Sequence, residues 1–145
     1  MSTTSHSTEP LQLTEVQIQT LLNAAKEAQA AAYAPYSNFP VGAAVMLSDG
    51  AIFKGCNIEN ASFGLTVCAE RVAIFRAIAE GHIDIVALSL VTNAPRMGRP
   101  CGACRQVIAE FSQGASPIIV ITSIASGEYV VETIAELLPS AFTLL

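Results

Sequence analysis

The sequence predicts a three-layer α/β/α sandwich around a five-stranded mixed sheet. Three observations lead there. Elements read in the order α-β-β-α-β-α-β-β-α over 145 residues, and strands separated by helices imply parallel strands with helices on both faces. The segments 83–91 and 117–122 are apolar at nearly every position, as in strands covered on both sides. Two short turns, Ser48-Asp49-Gly50 and Ser126-Gly127, join consecutive strands. The second link is too short for a parallel crossover, so the strands it joins are antiparallel, and the first reads as a hairpin turn.

The first helix spans 14–32. Thr14 with Gln17 fits a capping box, Val16, Ile18, Leu21, Leu22 and Ala25 form its apolar face, and Pro35 stops it. A loop over 34–38 leads to the first strand, 39–47, with Val41, Ala43 and Val45 on one side. The second strand spans 51–59. Residues two apart on a strand share a face, so Asn57 and Glu59 lie together at its end. A helix over 67–80 is capped by Gly81, and a third over 101–112 is closed by Gly114. Strand 128–131 follows the second turn, and a short helix over 133–138 stops at Pro139. Residues 1–12 read as a disordered N-terminal tail and 13–145 as one domain, with no internal repeat.

The net charge is −5, and 13% of residues are charged while 52% are apolar. Soluble domains typically carry about 25% charged residues, so this composition calls for a large subunit interface. No stretch reaches the roughly 18 apolar residues of a membrane helix, which excludes a membrane role. The acidic balance argues against nucleic acid, which wants a basic face. Four cysteines without a secretory signal point to a reducing cytoplasm.

The chemistry concentrates at two predicted helix starts. Cys68-Ala69-Glu70 opens one and Pro100-Cys101-Gly102-Ala103-Cys104 opens the other. Helix N-termini favour negative charge, so they suit thiolates. Three cysteines are one short of a closed structural zinc site; a catalytic zinc takes three protein ligands and keeps a position for water. Glu70, two residues from a ligand, is placed to handle that water's proton. Arg71 lies one turn after Cys68 and would offset the cluster's negative charge from outside the ligand set.

Three other readings of these cysteines stand beside that one. They can be buried small hydrophobes, Cys101 and Cys104 can be a redox pair, or a structural zinc site can be completed by Cys56 or a histidine. Cys56, mid-strand, reads as a core residue. His6 in the tail and His82 after a helix cap do not read as ligands.

Cys68-Ala69-Glu70 with Pro100 to Cys104 resembles the zinc deaminase signature in its three-cysteine form. Pro35-Tyr36-Ser37, Val41 to Ala44, Gly55 to Ala61, Cys68 to Arg71, Pro100 to Gln106 and Leu137-Leu138-Pro139 extend the resemblance to the small homotetrameric cytidine deaminases, over about 13–142. The resemblance implies one zinc per subunit on Cys68, Cys101 and Cys104, with Glu70 moving protons between water, the ring N3 and the leaving amine. It implies that Asn57 and Glu59 hold the ribose hydroxyls, that Phe39 stacks near the pyrimidine and that the Ala69 N–H meets its O2. It also implies a homotetramer whose active sites are shared, Phe63 and Phe142 reaching a neighbour's nucleoside pocket. The implied reaction is hydrolytic deamination of cytidine and 2′-deoxycytidine to the uridine products and ammonia, in cytoplasmic pyrimidine salvage.

Two positions depart from the family pattern. Phe63 stands where tyrosine is frequent, and Arg99 where a small serine is frequent; Arg99 is expected to offer mainly its backbone. The rival readings are a polynucleotide cytosine deaminase, disfavoured by the charge, an antibiotic-type aminonucleoside deaminase, disfavoured by Asn57-x-Glu59, and a zinc-stabilised binding module.

Overall fold

The computed structural model describes residues 11–112, 114 and 116–144. Its elements are α1 (Glu15–Gln29), β1 (Val41–Leu47), β2 (Ile52–Cys56), α2 (Ala69–Ala79), β3 (Ile85–Thr92), α3 (Gly102–Glu110), β4 (Ile119–Ser123), β5 (Tyr129–Thr133) and α4 (Ile134–Leu137), with a 3₁₀ turn at Phe63–Leu65 before α2. The strands form one sheet in the order β2-β1-β3-β4-β5. Only the β3–β4 pair is parallel; the others are antiparallel. The predicted α/β class, five-stranded mixed sheet and antiparallel last pair are all present. Of the expected tail, 1–10 lies outside the described residues, whereas the Leu11 N–H donates to Ser116 Oγ at 3.1 Å.

Strand periodicity sets the layers. On β1, Ala43, Val45 and Leu47 pack with Ala73, Ile74 and Ile108 from α2 and α3, and Ala44 and Met46 pack with Leu21, Leu22 and Ala25 from α1. A period of two sends alternate side chains to opposite faces, so an unbroken apolar run serves both layers at once. On the α1 face the buried Ser89 hydroxyl donates to the Leu21 carbonyl at 2.7 Å and so avoids the cost of an unpaired buried polar group.

Several boundaries differ from expectation, each for a local reason. The end of α1 tightens, since the Ala31 and Ala32 N–H groups bond three residues back. β2 stops at Cys56 because the Asn57 side chain takes over: its Oδ1 accepts the Val41 N–H at 2.9 Å. Gly81, at φ 92°, does cap α2; the His82 N–H reaches the Ala77 carbonyl and the Gly81 N–H that of Ile78, a Schellman arrangement. Gly114 does not close α3. That helix ends with Phe111 as its cap, because Phe111 turns inward to pack on the core.

Two glycines set helix–sheet distances. A Cβ at Gly42 would stand 1.8 Å from the Ala25 carbonyl oxygen of α1, and one at Gly55 would stand 2.3 Å from the Ala73 N and 2.7 Å from the Ala69 O of α2. Backbone therefore lies directly on backbone, and the first turn of α2 is seated by Gly55. Gly55→Ala should cost about 1–3 kcal/mol, as overpacking does, and should also lower metal content by displacing that turn. Chemical denaturation paired with metal analysis checks both.

Candidate metal centre and substrate cleft

Cys68 is the N-cap of α2 and Cys101 the N-cap of α3, with Cys104 in the first turn of α3. The two helices thus bring their N-termini together. The three Sγ atoms lie within 4.8 Å of one another, and Cys68 Sγ is 4.0 Å from Cys101 Sγ. Zinc–sulfur bonds of about 2.3 Å in tetrahedral array place sulfurs roughly 3.8 Å apart. The trio therefore fits zinc with one position open. All four cysteines are free thiols. Cys56 is not in the group; it lies half-buried at the end of β2, opposite Gly42, rather than in the core. His82 is exposed against Phe53, with ring centroids 5.6 Å apart, and His6 lies outside the described residues.

The electrostatics favour thiolate. A hydrogen bond from the Cys104 thiol, aided by Arg71, pulls the Cys68 thiol down to about 5. Cys104 moves the opposite way, because it supplies the shared proton to Cys68 and is itself buried. The pair holds at least one negative charge. Arg71 Nη2 donates to Cys68 Sγ at 3.4 Å, and that bond raises its own affinity for its proton. Arg71 Nε is buried without a partner. A cationic donor left unpaired among the described residues, beside Cys68, is a second sign that this pocket is shaped for thiolates.

Glu70, next in α2, is 4% exposed. Burial pushes its carboxyl up; a hydrogen bond to its own backbone N–H opposes this, the Cys68 charge adds to the rise, and Cys104 and Arg71 oppose it more weakly. It faces a cleft of about 300 Å³ whose lining includes Phe39, Asn57, Glu59, Cys68, Ala69 and Arg99. The structure therefore gathers every expected substrate contact that the sequence placed within one chain. Ala69 is fully buried, and as the first residue of α2 its N–H has no helical acceptor.

Glu59 Oε1 accepts the backbone N–H groups of Tyr36 at 2.9 Å and Ser37 at 3.2 Å. The Ser37 hydroxyl and these N–H groups hold its carboxyl below the usual range. Asn57 donates from Nδ2 to the Phe39 carbonyl at 2.9 Å, besides its bond to Val41. Phe63 and Phe142, at 85% and 69% exposed, stand on the surface outside this cleft.

Arg99 needs correction. The residue lines the cleft, and its side chain is also engaged, since its Nε pairs with Glu132 Oε1 at 3.1 Å. Sequence reasoning assigned it mainly a backbone role because nothing near it in the chain reveals Glu132, which β5 delivers from across the fold. Ser37 was also missed as the support of Glu59, although its place in Pro35-Tyr36-Ser37 offered a signal.

Residues 15–121 match the family model described as the cytidine and deoxycytidylate deaminase zinc-binding region. The chain belongs to that family. A cytidine deaminase of Sporosarcina psychrophila is 45% identical over 126 residues, covering 87% of this chain and 91% of that protein. One from Halalkalibacterium halodurans is 47% identical over 125 residues, covering 86% and 93%. The crystal structure of cytidine deaminase from Burkholderia pseudomallei has a TM-score of 0.81 at 45% identity, covering 90% of this chain and 100% of that one. This family member is a zinc-dependent deaminase, and its three-cysteine group lies within the matched segment.

Cys104→Ala should lose the metal, since it removes the one fully buried sulfur, whereas Cys56→Ala should keep it. Zinc per chain, measured after gel filtration, checks the pair; loss in the Cys56 variant alone would reverse the ligand assignment.

Proposed function

We propose that the chain hydrolyses cytidine and 2′-deoxycytidine to uridine and 2′-deoxyuridine with release of ammonia, in cytoplasmic pyrimidine salvage, through one catalytic domain over 13–145. The observation that carries this reading is the placement of buried Glu70 with Cys68, one of the three grouped sulfurs, on one cleft that also presents Asn57 and Glu59. When bound by Cys68, Cys101 and Cys104, zinc supplies Lewis-acid activation of water at neutral pH.

The protein's own groups do the rest. The Glu70 carboxylate takes a proton from the attacking water and delivers it to ring N3. C4 gains oxygen, the C4–N bond breaks, and Glu70 passes the second water proton to the departing amine, so water and substrate become product and ammonia. The first-turn N–H of Ala69 donates to the base O2, and Phe39 covers the ring. Both backbone bonds to Glu59 fall on Oε1, and a carboxylate with about four acceptor positions keeps capacity for a ribose hydroxyl. Asn57 keeps a second amide hydrogen and lone pair for the sugar while tying Phe39 and Val41. Arg71 holds the Cys68 sulfur and offsets the cluster's charge.

Cytidine turnover followed by loss of ultraviolet absorbance tests the reading directly; a zinc-loaded protein that leaves cytidine untouched would end it. Glu70→Gln should retain zinc and fold but lose on the order of 10²–10⁴-fold in kcat, and near-normal turnover would remove Glu70 from the reaction.

Glu59→Gln should raise KM for cytidine while free cytosine stays a poor substrate of both proteins. Because the Glu59 carboxyl titrates below its ordinary 4.5, its charge persists as pH falls from neutral to that value. KM of the unaltered protein should therefore stay flat over that interval. Cytosine turned over as well as cytidine would show that no ribose clamp exists.

We infer a homotetramer with shared active sites. It is supported by the low charged fraction of 13% and by Phe63, Leu65 and Phe142 at 85%, 66% and 69% exposed on the single chain. Phe142→Ala should keep zinc and weaken cytidine binding by roughly 0.5–1.5 kcal/mol, the worth of an aromatic contact. Light scattering with activity assays on dilution checks the assembly: activity should vanish with the oligomer, and a fully active monomer would refute it.

A further inference from the structure

The three sulfurs are not equally held. Cys104 is buried and Cys68 half-buried, but Cys101 is exposed. Packing fixes the first two; something else must fix the third. The Cys104 N–H donates to Cys101 Sγ at 3.5 Å, an ordinary length for a sulfur acceptor but a single-point restraint.

Arg105 supplies a stronger one. Its Nε donates to the Pro100 carbonyl at 2.8 Å and its Nη1 to the Leu137 carbonyl at 2.9 Å. Pro100 immediately precedes Cys101, its ring is buried, and its carbonyl has no backbone partner among the described residues. Leu137 ends α4, so its carbonyl is one of the acceptors a helix C-terminus leaves open. A planar guanidinium aims both donors in fixed directions, which a lysine ammonium cannot do. The next residue extends the link, since Gln106 Nε2 donates to the Phe142 carbonyl at 3.0 Å.

We propose that Arg105 is the positioning residue for the ligand Cys101, clamping the Pro100–Cys101 turn against the end of α4 and making the C-terminal segment a support of the metal centre. This rests on the assignment of zinc to the three cysteines. Arg105 acts on backbone oxygens and on neither the sulfurs nor the substrate.

Arg105→Lys keeps the charge and loses the two-point clamp; Arg105→Gln loses both. Zinc-loaded variants should release the metal to a chromogenic chelator about 10–100-fold faster, the range for loss of an outer-shell support. Their cobalt-substituted forms should show shifted thiolate-to-metal absorption bands. Ile121→Val, a mild change on the α1 face, should alter neither readout, which separates clamping from general destabilisation. Unchanged release and unchanged cobalt bands in folded Arg105→Lys overturn the proposal. If both Arg105 variants fail to fold, nitrogen-15 NMR of the unaltered protein decides: zinc loading should slow hydrogen exchange at Arg105 Nε, and equal exchange with and without zinc overturns it. Zinc analysis of the unaltered protein tests the underlying ligand assignment separately.

Discussion

Everything at the site depends on two helices starting at the same point. α2 carries the chain from β2 to β3, and α3 carries it from β3 to β4, and both crossings run the same way along the sheet order β2-β1-β3-β4. Crossovers between like-directed strands are right-handed, so equal crossing direction puts both helices on one face. Each helix begins beyond the C-terminal end of the strand before it. The two N-termini therefore meet at one edge of the sheet, and α1 is left to cover the opposite face. Gly55 then decides how low α2 sits, because its missing Cβ lets the Ala69–Ala73 backbone rest on β2.

That convergence has an electrostatic consequence. Unpaired N–H groups from two helices point at one volume and favour anions there. Three cysteines at capping and first-turn positions use this field, which opposes the desolvation that otherwise keeps buried thiols protonated. Arg71 adds a full charge on the Cys68 side. Arg105, by contrast, spends its donors on two carbonyls. One arginine contributes charge to the cluster and the other contributes geometry, although they occupy similar places in their helices.

The parts of the fold legible in the sequence are those encoded within a few residues. Thr14 and Gln17 form the expected capping box, Gly81 ends α2, and Cys68-x-Glu70 with Cys101-x-x-Cys104 marks the two helix starts. Each depends on spacing along one element. What escaped the sequence depends on pairs brought together by the sheet. Arg99 meets Glu132 across 33 residues and Arg105 meets Leu137 across 32; neither partner carries a local sign of the other. The early end of β2 escaped for a related reason. Asn57 reads as another strand residue until its side chain is seen to take the Val41 N–H that a longer ladder would have used.

The cleft also shows how one surface can shift two carboxyl groups in opposite directions. Glu70 is nearly sealed from water, and burial raises its proton affinity. Glu59 lies at the open end, where the Ser37 hydroxyl and two backbone N–H groups lower it. Environments that push two like groups apart assign them different work. In the proposed reaction a carboxyl with raised proton affinity fits the bond-breaking end, and one held toward its anion fits a sugar diol, which only needs an acceptor. The opposite shifts are thus set by the loop over 34–38 and the burial of the first turn of α2, and not by the residue type the two positions share.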